Sequence, residues 1–298
     1  MKIYIYIIGI FCLFFTCIFF ILKHFYISKN LVNTFKPKEV RVIISMTTSP
    51  KRISKISECI NSLENQTIKP DLYFINLPNI FKRNGSTFSD IPKFLIKDNI
   101  ILNFCEDLGP ATKIVPTCKN DIVRENDIIF SVDDDINYPD KIIQLYLEYH
   151  TLYPNHIISG YTSYLKKPVK KHGDLSEIFM LEGFSCVLYK KRFLENIPLE
   201  MFDKTKVPIY HYLADDLVLS NYLASKEIGI LGFGYNHPII KDIKPLYYGY
   251  QEDALHKGAD GLSVIGYNNI TGNTNNYNNT AEFLKKSNSY YLPADYKY

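Results

Sequence analysis

The chain has 298 residues, 46% hydrophobic and 22% charged, which suits one large domain or two small ones. Its net charge of +3 is small for this length, and the lysines are spread along the chain, so there is no basic footprint of the kind a nucleic-acid partner requires. Cysteine excludes a zinc-finger pattern: Cys59, Cys105, Cys118 and Cys186 are widely spaced, with no Cys-x-x-Cys pair.

The first element, Ile3 to Leu22, carries no charge and is bracketed by Lys2 and Lys23. About 20 apolar residues at ~1.5 Å rise per residue match a bilayer core of ~30 Å. A cleaved signal peptide is the alternative, but the run is long for one and no small-x-small cleavage site follows. The expectation is a single-pass anchor over residues 1–24, a short stem over 25–39 ending near Pro37, and one globular domain over 40–298. Lys23, Lys29, Lys36, Lys38 and Arg41 after the span favour a cytoplasmic domain by the positive-inside rule. The glycosylation triplets at Asn65, Asn84, Asn269 and Asn278 favour a lumenal one. The expected topology is type II with a lumenal domain, Golgi- or ER-like, and the cytoplasmic placement stays open.

The body opens with the β-branched run Val40–Met46, read as a strand. Ser49-Pro50 then offers a cap and a first-turn proline, and Ile53, Ile56, Ile60 and Leu63 make one helical face. Strands are predicted at Asp71–Leu77 and Ile100–Phe104. A helix should follow Gly109-Pro110, distorted by Pro116. Asp127–Val132 is the clearest strand, and Tyr138-Pro139 opens a helix carrying Ile142, Ile143, Tyr146 and Tyr149. Further strands are predicted at His156–Ser159, Phe184–Tyr189 and Ile228–Phe233, with a helix over Asp216–Ala224. The Asn-rich tract Asn268–Asn279 reads as a mobile loop. Alternating strands and helices imply an α/β fold with a largely parallel sheet.

The chemistry gathers at Asp133-Asp134-Asp135, where a buried strand ends in consecutive carboxylates at the edge at which open α/β sheets bind ligands. Adjacent carboxylates repel, and a hard divalent cation, Mn²⁺ or Mg²⁺, resolves that repulsion and can bridge to a diphosphate. The bland reading is a solvated acidic turn. Thr47, Thr48 and Ser49 offer hydroxyls and N–H groups at a helix start, a natural place for an anion or a base edge. Lys113 follows the stiff Gly109-Pro110 loop and would meet phosphate, with Asp107 available to ribose or base. Asp215 and Asp216 sit at a helix start that favours charged carboxylates. Asp215 could be only the cap, leaving Asp216 as the carboxylate free to act as a general base.

These segments resemble the GT-A fold glycosyltransferases, whose signature is a strand followed by Asp-x-Asp. Met46–Arg52 resembles their first strand-to-helix loop, so Thr47, Thr48 and Arg52 would line the nucleotide pocket. Asp107–Lys113 looks like their D-x-G-P-x-x-K element, Asp215–Ser220 is similar to the acidic pair that opens a late helix, and Gly183-Phe184-Ser185 resembles their sugar-accepting loop, with Glu182 beside it. The resemblance spans roughly Val40 to Ala259. It implies a GT-A type, Rossmann-like three-layer sandwich with a mixed, mainly parallel sheet. It implies a donor nucleotide sugar, most simply a UDP-sugar, held by Asp133, Asp134 and Gly183 among others. A glycan or glycosylated protein or lipid would accept the sugar. Asp133, Asp135 and a C-terminal His256 would be the metal shell, although tyrosine often stands at that last place. Asp135 is the firmest metal ligand of the triplet, Asp133 faces ribose and metal together, and Asp134 is the most replaceable. His211 and His237 lack any such context and are assigned to packing or surface. Haloacid-dehalogenase phosphatases also carry Asp-x-Asp after a strand, normally the first of the core, and a non-catalytic carbohydrate-binding protein is the other alternative.

Overall fold

A computed structural model describes residues 40–160, 170–246 and 272–293. The expected anchor and stem, the Asn269 triplet and His256 lie outside the described residues. Among the described residues no helix is long and apolar enough to cross a membrane.

Eleven strands are formed among the described residues: β1 (Val42–Thr47), β2 (Leu72–Pro78), β3 (Ile100–Cys105), β4 (Ile128–Ser131), β5 (Ile136–Asn137), β6 (Ile157–Ser159), β7 (Lys171–His172), β8 (Leu175–Ile178), β9 (Val187–Lys190), β10 (Ile230–Phe233) and β11 (Lys244–Pro245). Nine make one sheet in the order β3-β2-β1-β4-β9-β6-β10-β8-β7, and β5 pairs with β11 separately. Strands β3, β2, β1 and β4 run parallel, and so do β6 and β10. Strand β9 runs against both β4 and β6, and β8 runs against β10 and β7, so the sheet is mixed with β9 and β8 reversed. The central strands are buried along nearly their whole length, the condition that lets β1 and β4 be continuous apolar runs rather than alternating ones.

Helices cover both faces. Ile129 of β4 packs in a cluster with Ile43, Phe74, Val115, Val218 and Leu219. Its neighbour Phe130 points the other way, with its ring 5.8 Å from Tyr146 of the helix Ile142–Leu152. Period-two alternation on a strand therefore builds two cores from one sequence run, and the architecture is an α/β three-layer one.

The predicted strands recur within a few residues of their expected places, except that β9 begins at Val187. Gly183–Ser185 before it is a 3₁₀ turn. The predicted helix after Pro110 is broken into a 3₁₀ turn at Ala111–Lys113 and a short helix at Val115–Cys118, because Pro116 lacks the N–H that would continue it. The Asn-rich tract is a correction: much of it belongs to the helix Gly272–Lys286. Tyr277 and Ala281 of that helix pack with Met180, Ala214, Leu217 and Leu292, and this burial overrides the weak helix propensity of asparagine.

Candidate functional site

The chain leaves β1, then builds β2 and β3 on one side of it, and later returns to place β4 on the other. The order reverses between β1 and β4, and their carboxyl ends make the crevice where open α/β sheets take ligands. Thr48 follows the one strand and Asp133 the other. Because β9 is antiparallel to β4 and pairs Val187 with Ser131, the Gly183–Ser185 turn before β9 is delivered to the same end. Register alone thus brings three distant sequence segments together.

The three aspartates separate by what they touch. Asp134 turns inward and is 5% exposed. Its carboxylate accepts the Thr48 hydroxyl at 2.6 Å and Arg52 Nη1 at 2.8 Å. The same Nη1 lies 3.1 Å from Asp135, whose side chain is partly open. Burial pushes Asp135 up to about 7, the charges of Asp134 and Asp133 add to this, and Arg52 opposes it. Asp133 Oδ1 receives Lys113 Nζ at 3.1 Å, and its side chain is the most exposed of the three. The Asp133 N–H donates to the Tyr138 hydroxyl at 2.9 Å, which donates in turn to the Phe184 carbonyl at 3.1 Å.

Lys113 is the hub. Its ammonium is 3.1 Å from Asp133, 3.3 Å from Asp215 and 3.9 Å from Asp216, in a side chain that is almost wholly buried. Burial pulls the ammonium down, but the three carboxylates outweigh it and hold the group charged, well above its ordinary value. One cation cannot neutralise three anions. Burial accordingly raises Asp216 to about 8, with Asp215 adding to the effect and Lys113 opposing it. Burial raises Asp215 as well, against Lys113.

Both acidic residues open the helix Asp215–Ser225, as the sequence suggested. Asp215 is not an N-cap but the first residue of the helix, following Ala214, which makes no side-chain cap. Asp216 Oδ1 accepts the Gly183 N–H at 3.1 Å and Oδ2 accepts the Tyr277 hydroxyl at 3.3 Å. Gly183 is a glycine for want of room: a Cβ there would collide with Lys113 Nζ and stand 2.8 Å from Asp216 Oδ1. Glu182 beside it is 9% exposed, and its carbonyl accepts the Ser185 hydroxyl at 2.7 Å.

Other expected ligand residues bond within the fold. Asp107 is buried, and its oxygens accept Lys82 N–H at 2.6 Å and Gly109 N–H at 2.8 Å, bonds that brace its own loop. Gly109 there has φ +65° and its position would bring a Cβ within 2.7 Å of the Tyr212 carbonyl. The Thr47 hydroxyl donates to the Asn76 carbonyl at 2.8 Å across to β2. Tyr138 and Tyr277 are the site residues that sequence reasoning missed. Tyr138 stands out in the sequence only as a helix opener, and Tyr277 lies inside a tract that reads as loop. His211 packs its ring 5.3 Å from Phe283, and burial lowers it to about 4. His237 rests 5.0 Å from the Phe233 ring.

A divalent ion fits this donor set in a restricted way. The donors are all carboxylate oxygens, hard ligands that suit Mg²⁺ or Mn²⁺. Among the described residues the five aspartates are matched by Arg52 and Lys113, so negative charge is in excess. Asp133 and Asp135 retain open faces, whereas Asp134 is tied inward. Among the described residues no three His, Cys, Asp or Glu side chains are grouped to hold an ion by themselves. An ion there would need further ligands from outside that set, which is the usual habit of Mg²⁺ with one or two carboxylates and phosphates.

No protein-family model matches the chain, and no curated protein matches it. Solved structures do. Crystalline S. aureus TarS 1-349 aligns at a TM-score of 0.45 and 12% identity over 84% of this chain and 72% of that one. The same fragment in complex with UDP gives 0.42 and 12% over 84% and 72%. In complex with UDP-GlcNAc it gives 0.42 and 11% over 84% and 73%. A likeness at this level leaves the chemistry to be argued from the side chains themselves.

Proposed function

We propose that the chain is a membrane-anchored, metal-dependent glycosyltransferase of GT-A type. It moves a sugar from a nucleoside-diphosphate sugar, a UDP-sugar in the simplest case, to a hydroxyl of a glycan or of a glycosylated protein or lipid. One observation carries this reading: Asp133, at the head of the acidic triplet in the crevice between β1 and β4, shares a single buried ammonium, Lys113, with Asp215 and Asp216. That arrangement supports the reading because it joins one acidic strand end, suited to a diphosphate and its ion, to a second acidic pair suited to an acceptor hydroxyl.

Asp133 and Asp135 are the residues that would hold Mn²⁺ or Mg²⁺. When bound, the ion supplies Lewis-acid neutralisation of the charge that develops on a departing diphosphate. Thr48 and Arg52 fix Asp134 and so set the direction in which its two neighbours point. Lys113 does not stand free for phosphate; it holds the donor-side Asp133 close to Asp215 and Asp216. Asp216 is a stronger base than an ordinary aspartate because it is buried beside Asp215. In an inverting transfer Asp216 takes the acceptor hydroxyl proton as the new glycosidic bond forms, with the helix N-terminus favouring its charged form. In a retaining transfer it orients the acceptor instead. Gly183 leaves the room in which Lys113 and Asp216 approach each other.

The test is UDP release from a panel of UDP-sugars by the purified full chain, with and without Mn²⁺ or Mg²⁺. Turnover should require the ion and disappear in Asp135→Asn, while Asp216→Asn should bind the donor and fail to transfer. Hydrolysis of simple phosphomonoesters without any UDP-sugar turnover, or turnover indifferent to chelation, would overturn the proposal.

A further inference from the structure

The C-terminal helix Gly272–Lys286 lies about 60 residues downstream of the acidic pair, yet it packs on Ile209–Tyr212 and on the Asp215–Ser225 helix. It carries Tyr277 to Asp216, where the phenol donates to Oδ2 at 3.3 Å while the Gly183 N–H donates to Oδ1 at 3.1 Å. The carboxylate is therefore gripped at both oxygens, from two segments that do not belong to its own helix. We infer that Tyr277 is a positioning residue for Asp216: its hydroxyl fixes the rotation of the carboxylate and stabilises its ionised form, so that one lone pair stays directed at the acceptor. This rests on the reading of Asp216 as the base.

The last torsion of an aspartate is broad, so an ungripped carboxylate can tilt its plane away from a bound hydroxyl. A donor on each oxygen removes that freedom before the acceptor arrives. The charged and titratable groups facing Asp216 are Asp215 on its own helix, Lys113 from the Ala111–Lys113 turn, Asp133 after β4, Tyr189 of β9, and Tyr277. Glu182 also acts on Tyr277. Among these, Lys113 and Tyr277 favour the ionised carboxylate, and only Tyr277 can be silenced by deleting a single hydroxyl. Tyr277 packs as a ring against Met180, Ala214 and Leu217, and phenylalanine keeps that packing.

The experiment is the pH profile of kcat for Tyr277→Phe in the full chain with saturating UDP-sugar and metal. Removing a donor from an ionised carboxylate raises its pKa, so the acidic limb should move up by about one pH unit. Maximal kcat should fall about tenfold with the donor KM unchanged. Tyr210→Phe, a neighbouring ring that meets Phe283 of the same helix, is the control and should leave the profile in place. An unshifted limb in Tyr277→Phe with normal folding would overturn the inference. Should the wild type turn over no nucleotide sugar, the functional proposal fails by itself. The positioning role is then read from the ¹³C carboxyl titration of Asp216, assigned with Asp216→Asn, which must still shift upward in Tyr277→Phe; an unmoved titration would overturn it there too.

Discussion

Replacing Lys113 by methionine keeps the length of the side chain and deletes the cation shared by Asp133, Asp215 and Asp216. At the observed separations of 3.1, 3.3 and 3.9 Å, each gross attraction is about 4–5 kcal/mol at an effective dielectric of ~20. Most of that is offset by the desolvation of the ammonium, and breaking a buried pair from one side costs about 3–5 kcal/mol in practice. The variant should therefore lose about 3–5 kcal/mol at pH 8. Of the orphaned carboxylates, Asp215 and Asp216 can escape by binding protons, since burial already raises both. A carboxylate whose folded pKa exceeds its unfolded one binds more protons in the native state, so its contribution to stability is lost as pH rises through the folded value. In the wild type Lys113 supplies the positive charge that all three share. The deficit of the variant should thus shrink on acidification, by up to about 1.4 kcal/mol per pH unit for each proton taken up, leaving roughly 1–2 kcal/mol at pH 6. Urea unfolding of the full chain, followed by circular dichroism between pH 6 and 8, measures this. A deficit under about 1 kcal/mol at pH 8, or one that stays flat or grows toward pH 6, would refute the reasoning.

Three further outcomes are expected. Gly183→Ala forces a methyl into the space of Lys113 Nζ, so it should cost about 1–3 kcal/mol in urea unfolding and abolish UDP-sugar turnover together. Arg52→Met leaves Asp134 without its guanidinium; a loss of about 2–3 kcal/mol at pH 7.5 and a weakened response of turnover to added Mn²⁺ would both be measured, and an unchanged metal titration would count against the assigned geometry. Burial lowers His150 and His211 to about 4, so their neutral forms stabilise the fold above the unfolded value near 6.5, and that stability is lost as pH falls from there toward 4. Relative to wild type, His211→Leu should gain about 2 kcal/mol on going from pH 7 to pH 5, read from urea midpoints at the two pH values.

Much of the acidic strand end is legible in the amino-acid sequence. The buried run Ile128–Ser131 ending in Asp133 reads as a strand delivering carboxylates, and Asp215-Asp216 as the start of a helix, because both signals are local. The outcome for Asp107 and Thr47 is not legible there. Whether a polar side chain is spent on a neighbouring backbone or left for a ligand depends on which strand lies beside it, and here β2 and the Lys82 segment take both. Tyr277 is hidden for a related reason: an asparagine-rich helix looks like a loop until Ala281 and Leu292 find Met180 and Leu217 to pack on.

The sequence by itself determined the alternating α/β order, the place of the acidic strand end and the carboxylates and lysine that gather around it. Those follow from periodicity and from side-chain chemistry, which do not depend on distant partners. Only the tertiary structure decided that one lysine serves three aspartates, that Asp134 turns inward while Asp133 and Asp135 stay open, and that a C-terminal tyrosine grips Asp216. Those depend on the reversal of β9 and the packing of the last helix, and such long-range contacts leave no spacing in the chain from which to read them.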